Sequence, residues 1–100
     1  MPMNKYLLQG KLTAKEGQRQ TLAEILIKAS KLMATAKGCQ LYAVAIDEKD
    51  ANSVYVTEIW DSKEDHGNSL SVEGVRELIM TAMPILEGQP QKGQELEIIN

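Results

Sequence analysis

The chain has 100 residues, the length of one ordinary domain, and we expect residues 1–100 to fold as a single unit. The formal net charge is −3 and no basic cluster occurs, which disfavours nucleic acid as a partner because its phosphates are bound by Lys and Arg. No apolar run approaches the ~20 residues that span a bilayer, so we expect no membrane partner. The single Cys39 forms no internal disulfide, and the reducing cytoplasm is the expected compartment.

The first two predicted elements are a strand and a long helix. Residues 5–14 alternate as a strand does, and Gly10 inside it predicts a bulge, a close backbone approach or simple relief of packing. Residues 18–36 repeat apolar side chains at helical spacing, and Gly38 suits the left-handed position that ends many helices. The apolar stripe consists of Leu22, Ile25, Leu26, Ala29, Leu32, Met33 and Ala36.

Two more strands are predicted at 39–47 and 53–60, joined by a polar hairpin loop. Both faces of the strand at 39–47 are apolar, so both faces of the sheet should be covered. The strand at 53–60 has two different faces. One carries Val54, Val56, Glu58 and Trp60, and the other carries Tyr55, Thr57 and Ile59.

The last third of the chain predicts two helices, a loop and a strand. Ser62 caps a short helix, with Asp65 at the third helical position. A second helix is predicted near residues 72–86, with a kink at Pro84 because proline cannot continue a helix normally. Residues 87–94 read as a loop and residues 95–99 as a terminal strand.

The resulting βαββαβ order predicts an α+β, ferredoxin-like sandwich with a four-stranded antiparallel sheet. Helices then cover one face of the sheet, and the opposite face keeps apolar side chains. A large exposed apolar face is unusual for a monomer. We therefore expect a homodimer that pairs sheet against sheet about a two-fold axis.

Four segments in this order resemble a known family. Residues 10–17 lead from the first strand into the helix, 38–42 open the second strand, 54–62 contain the pattern Glu58-x-Trp60, and 66–70 begin with His66. Together they are similar to the antibiotic-biosynthesis-monooxygenase domain family of dimeric α+β-barrel proteins. The resemblance implies a ferredoxin-like subunit, a dimer formed across the sheets, and a pocket between the sheet and the helices of each subunit.

The resemblance implies two hypotheses for the function. Enzymes of this family oxygenate phenolic or quinol-like substrates with dioxygen and without metal, haem or flavin, whereas other members have no established activity. The chain is thus either a cofactor-independent monooxygenase acting on a small aromatic phenol or quinol, or a non-catalytic dimeric module that binds a small molecule. The related haem-degrading branch uses Asn, Trp and His near the positions of Gly10, Ser69 and Ile79, so haem degradation is disfavoured.

Five residues form the predicted site. His66 is the one side chain of a type that titrates near neutrality, so it could accept a phenolic proton; the alternative is an exposed or capping imidazole. Trp60 could stack on an aromatic ligand, or it could be a core anchor. Tyr6, Leu70 and Met83 complete the predicted substrate-binding lining.

Glu58 shares the face of Trp60 in a central strand, so its carboxylate must be paired or protonated. It is either a structural ion-pair partner, with Lys11 as one candidate, or a buried acid of raised pKa with a catalytic role. One His and one Cys, far apart in the chain, give no metal-ligand spacing, and no nucleotide-binding motif occurs. We therefore expect neither a metal nor a cofactor.

Overall fold

A computed structural model describes residues 4–88 and 93–100 of the chain. The elements in chain order are β1 (Tyr6–Thr13), α1 (Arg19–Met33), β2 (Cys39–Ala45), β3 (Ser53–Trp60), α2 (Lys63–Ser69), α3 (Val75–Ala82), a short 3-10 helix (Met83–Ile85) and β4 (Gln94–Glu97). The sheet has the order β2-β3-β1-β4 with antiparallel neighbours. This is the α+β, ferredoxin-like fold that the sequence predicts.

The last helix and the last strand differ in extent from the prediction. The helix predicted at 72–86 is α3, which ends at Ala82, and the chain continues as a 3-10 turn that contains Pro84. Proline has no backbone N–H to donate, so the α-helical ladder stops before it. The terminal strand runs from Gln94 to Glu97, and residues 89–92 of the predicted loop lie outside the described residues. No helix in the described part of the chain has the length and apolarity needed to cross a membrane.

Gly10 marks a close approach of two backbones rather than a bulge. The β1–β3 register is continuous from Tyr6 opposite Trp60 to Thr13 opposite Ser53, so β1 contains no extra residue. The irregularity of the sheet lies in β2 instead, between Cys39 and Leu41. Gly93 packs directly on β1, and a Cβ added to it would lie 3.2 Å from the Gly10 Cα atom. The close approach therefore excludes a side chain at Gly93, whereas a Cβ on Gly10 would lie 4.0 Å from the Gly93 Cα atom, which is an ordinary contact.

The core lies between the sheet and the helices and is divided into two clusters. The larger cluster joins the first half of α1 to the sheet and contains Ala14, Leu22, Leu26, Val54, Val56 and Leu86. The smaller cluster contains Met33, Trp60 and Val75. On β3, Glu58 stands between Val56 of the first cluster and Trp60 of the second, and it is itself only 8% exposed. A buried carboxylate thus occupies the boundary between the two clusters.

The turn between α1 and β2 yields a testable difference between two glycines. Gly38 has a φ of 83°, and a Cβ there would collide with the Asp65 carboxylate, whereas a Cβ on Gly67 in α2 meets nothing within 4 Å. We expect Gly38→Ala to lower the free energy of unfolding by roughly 1–2 kcal/mol, because an L-residue is strained at positive φ. Gly67→Ala should raise it by about 0.5–1 kcal/mol, because alanine loses less entropy in a helix.

Urea unfolding of both variants beside the unchanged protein measures the two effects. Equal effects of the same sign would contradict the described turn.

Candidate functional site

A cavity of about 230 Å³ lies between the sheet and helices α1 and α3, where the two core clusters meet. Its lining is mostly apolar. The apolar lining residues are Leu12, Leu22, Ile25, Leu26, Ala29, Met33, Leu70, Val75, Leu78, Ile79, Ala82, Met83 and Leu86. The polar lining consists of three side chains, Tyr42, Glu58 and His66. An apolar cavity with a few polar groups is the usual form of a small-molecule site.

The mouth of this cavity lies on the side of α2 and α3. Leu70, Ile79 and Met83 line the cavity and are nevertheless 52%, 46% and 48% exposed, so each touches both the cavity and the solvent. A smaller cavity of about 160 Å³ shares Leu12, Tyr42 and Glu58 with the first and reaches Gly10 and Gly93. The polar side chains Tyr42 and Glu58 therefore border both spaces.

Glu58 is held by its neighbour on the same face of β3. The Trp60 indole Nε1–H donates a hydrogen bond of 3.1 Å to Glu58 Oε1. His66 Nε2 lies 3.7 Å from the same oxygen, which is ion-pair distance when the imidazole is protonated. Tyr42 on β2 is the directly opposed partner of Glu58 across the β2–β3 pairing. The Glu58 carboxylate is thus held through Oε1, and Tyr42 lies beside it on the neighbouring strand.

The corner between β3 and α2 brings His66 to this place. Ser62 is the N-cap residue of α2, and its hydroxyl oxygen accepts a hydrogen bond of 3.0 Å from the Asp65 backbone N–H, as the sequence predicts. His66 follows in the same helix, with its ring centroid 5.6 Å from the Trp60 ring and 5.7 Å from the Tyr6 ring. The imidazole therefore packs between two aromatic rings and is not an exposed group on a polar helix turn.

Burial controls the electrostatics of the site. It raises the pKa of Glu58, because the charged carboxylate loses hydration, while the Trp60 N–H and the nearby His66 act in the opposite direction. Burial also raises the pKa of Tyr42, and the negative charge of Glu58 adds to the effect. Both changes favour the protonated forms. The cavity is thus lined by Glu58, a carboxylic acid with a raised pKa, and by Tyr42, whose hydroxyl keeps its proton.

The five predicted site residues divide into two groups. His66, Leu70 and Met83 line the cavity, whereas Trp60 and Tyr6 are not among its lining residues. Trp60 is fully buried and packs with Met33 and Val75, so the core-anchor alternative describes its position. Contact of Trp60 or Tyr6 with a ligand, like the roles of the other three residues, stays a prediction.

The Tyr6 hydroxyl is bound to the last strand of the sheet. It donates a hydrogen bond of 3.1 Å to Glu95 Oε1, outside the cavity. Burial and then this hydrogen bond raise the pKa of Tyr6 to about 12. Its ring still contacts His66, so Tyr6 helps to position the imidazole.

The suggested ion pair between Glu58 and Lys11 is wrong. Lys11 Nζ lies 3.4 Å from Asp50 Oδ2 and alternates to the opposite face of the sheet. The site also contains Tyr42, which the sequence does not single out from the other tyrosines. The sequence does contain a signal for the Tyr42–Glu58 pair. Glu58 is the single carboxylate in the apolar row Val54, Val56, Glu58 and Trp60, and a buried carboxylate requires a polar neighbour, here on the next strand.

Metal binding has no evident location within residues 4–88 and 93–100. No group of three or more His, Cys, Asp or Glu side chains there is arranged so that it could hold a metal ion.

One protein family matches the sequence of the chain. The sequence model described as "Antibiotic biosynthesis monooxygenase" matches residues 6–79. The match runs from the first residue of β1 into α3 and includes Tyr42, Glu58 and His66. No curated protein matches the sequence.

Several solved structures share the fold. A provisionally named antibiotic biosynthesis monooxygenase from Chloroflexus aurantiacus J-10-fl has 34% identity and a TM-score of 0.85, covering 96% of this chain and 94% of its own. A similarly named protein from Nitrosomonas europaea has 11% identity and a TM-score of 0.87, with coverages of 97% and 92%. A third, from Caulobacter crescentus CB15, has 14% identity and a TM-score of 0.85, with coverages of 99% and 93%. At their low identities, the last two show the fold alone.

The raised pKa of Glu58 predicts an unusual dependence of stability on pH. Because the folded protein binds this proton more tightly than the unfolded chain, the stabilisation is full below the ordinary pKa of 4.5 and is lost as pH rises through the folded-state value. Glu58→Gln keeps an acceptor for Trp60 and removes the titration. We expect the free energy of unfolding of E58Q, minus that of the unchanged protein, to increase with pH across this window.

Urea unfolding at a series of pH values measures this difference. Glu24→Gln, on an exposed position of α1, controls for the loss of one carboxylate. A difference between E58Q and the unchanged protein that stays constant with pH would show that Glu58 titrates alike in both states.

Proposed function

The chain belongs to the antibiotic biosynthesis monooxygenase family, and we propose on this basis that it is a cofactor-independent monooxygenase that oxidises a small aromatic phenol or quinol with dioxygen. The observation that carries the proposal is the largely aliphatic cavity whose polar side chains are Tyr42, Glu58 and His66. A flat aromatic ring fits such a space, and its hydroxyl needs a polar partner there. His66 is the base that the sequence predicts, and Glu58 is a second acid–base group at the same place.

The proposed chemistry needs no external reductant. A phenol with a free para C–H reacts as phenol plus O2 to quinone plus water, and the phenol supplies all four electrons. The base first removes the phenolic proton, and the electron-rich phenolate passes one electron to O2. The two radicals couple at the para carbon, and the hydroperoxide formed on reprotonation loses water to give the quinone. The residues of this chain then have three tasks: to bind the ring, to take the proton and to exclude bulk water.

We further propose that the chain acts as a homodimer, because the sheet has an apolar face that the helices leave open. The register aligns one apolar row across the four strands of the sheet, and this row consists of Leu41, Ile59, Leu7 and Leu96. Leu41 and Leu96 are 43% and 45% exposed. A second copy of the chain, related by a two-fold axis, would bury this row against itself. With its single free Cys39, the chain suits the reducing cytoplasm that we propose as its compartment.

The alternative is a binding module of the same fold without catalysis. The apolar cavity favours ligand binding equally in both cases, so turnover decides between them. A ligand at a hundred times its dissociation constant adds about 2.7 kcal/mol of apparent stability, which thermal unfolding detects easily. Stabilisation by a phenol without oxygen consumption would favour the module.

Oxygen uptake with a panel of phenols and hydroquinones tests the enzymatic proposal. We expect uptake above spontaneous oxidation, and a fall of roughly 10²-fold or more in the double variant His66→Ala/Glu58→Gln, because general-base catalysis contributes about 10²–10⁴-fold. For a phenol with a free para C–H, labelled dioxygen should deliver one atom to the quinone and one to water. Glu64→Gln, exposed on α2, is the matched control that should keep the full rate. Equal uptake by the protein and the double variant would end the enzymatic proposal.

Lysine substitutions of two isoleucines, one on the open sheet face and one on α1, test the proposed dimer. Ile59→Lys places a charge in the middle of the apolar row on the open sheet face, and we expect it to convert the protein to a monomer in sedimentation experiments. Ile27→Lys places the same charge on the outer side of α1, where Ile27 is already 44% exposed, and should leave the dimer intact. If the unchanged protein sediments as a monomer, the sheet-to-sheet dimer is wrong.

A further inference from the structure

We propose that Glu58, rather than His66, accepts the phenolic proton of a ligand bound in the cavity, with Trp60 as its positioning residue and Tyr42 as a hydrogen-bond partner of the ligand oxygen. The inference rests on the proposed function, since it assigns the proton within that same site. It concerns binding and proton transfer only, so it can be tested separately from oxygen chemistry.

The two oxygens of the Glu58 carboxylate have different environments. Oε1 accepts the Trp60 N–H at 3.1 Å and lies 3.7 Å from His66 Nε2. Oε2 has no hydrogen bond or ion pair with any residue in the ranges 4–88 and 93–100. No fully enclosed side-chain oxygen or nitrogen in these ranges lacks a partner, so Oε2 must reach open space. The cavities that Glu58 lines are that space, and Oε2 is therefore the oxygen available to a ligand.

The Tyr42 hydroxyl is available in the same way. Tyr42 lines both cavities, and its hydroxyl makes no hydrogen bond within the described part of the chain. Like Oε2, it is not sealed off from open space. Because Tyr42 keeps its proton, it can donate a hydrogen bond to the oxygen of a bound phenolate. An acceptor and a donor on neighbouring strands thus face one ligand oxygen.

Charge balance in an apolar cavity favours Glu58 over His66. When Glu58 is the acceptor, the phenolic O–H bond breaks, an O–H bond forms at Oε2, and the site holds one negative charge before and after the step. When neutral His66 is the acceptor, an imidazolium and a phenolate form beside a carboxylate that is already charged. Each additional buried charge carries a desolvation cost, so the first route is cheaper in this surrounding.

The proton affinity of Glu58 also suits the task. Its pKa is raised by burial and therefore lies closer to that of a phenol, near 10, than the pKa of an ordinary carboxyl does. The ionisable groups that face it are Tyr6 from β1, Cys39 and Tyr42 from β2, and His66 from α2. Among these, protonated His66 lowers the pKa of Glu58. We therefore assign His66 the role of adjusting the pKa of Glu58.

The test uses 4-nitrophenol, whose absorbance distinguishes phenol from phenolate, bound to the protein at a series of pH values below the pKa of the free probe. We expect the phenolate-to-phenol ratio of the bound probe to stay nearly constant with pH in the unchanged protein, because the proton only moves from the probe to Glu58. In Glu58→Gln the proton must leave for the solvent, so the ratio should rise about tenfold for each pH unit. The ratio should stay constant with pH in His66→Ala, in Glu58→Asp, which retains a carboxylate, and in the control Glu64→Gln.

Three outcomes overturn the inference: a phenolate-to-phenol ratio that stays constant with pH in E58Q and becomes pH-dependent in His66→Ala, a probe bound only as the neutral phenol in the unchanged protein, or no saturable spectral change at all. Trp60→Phe adds a readout for positioning, because loss of the N–H should shift the pH profile of the bound probe while the probe still binds. If the bound probe forms phenolate but the protein consumes no oxygen, the proposed monooxygenase function is wrong, while the assignment of Glu58 as the proton acceptor stands.

Discussion

The hydrogen bond from the Trp60 indole N–H to Glu58 Oε1 determines how the site is arranged. A carboxylate that is only 8% exposed costs several kcal/mol without a donor, and Trp60 is the donor beside it on the same face of β3. Trp60 is fixed in turn by Met33 and Val75. Because the bond occupies Oε1, the other oxygen is left for the cavity. One buried indole thus links the core of the fold to its chemistry.

The alternation of the strands gives the sheet two separate tasks. On β3, Val54, Val56, Glu58 and Trp60 face the helices and are buried, while Tyr55, Thr57 and Ile59 face the other way. The first face forms the cavity, and the second presents the apolar row that a partner copy would cover. A shift of one residue in register would exchange both sets of side chains. The site and the proposed dimer surface therefore depend on the same strand pairing.

Periodicity alone predicts the strands, α1 and the capped corner at Ser62, because local sequence determines them. The site is only partly predictable. His66 and Leu70 lie four residues apart after that corner, and Met83 lies beside the apolar stripe of the last predicted helix. The pairing of Tyr42 with Glu58, in contrast, depends on the irregularity between Cys39 and Leu41. Whether Trp60 borders the cavity depends on how Met33 and Val75 fill the space around it, and no sequence pattern contains this packing.

The most direct test of the account follows the ¹³C chemical shift of the Glu58 carboxyl carbon through a pH titration, with and without a bound phenol. We expect Glu58 to titrate above the ordinary glutamate value of 4.5, and we expect binding to change its midpoint because the proton is shared with the ligand. Titration at or below the ordinary value, unchanged by the ligand, would contradict it.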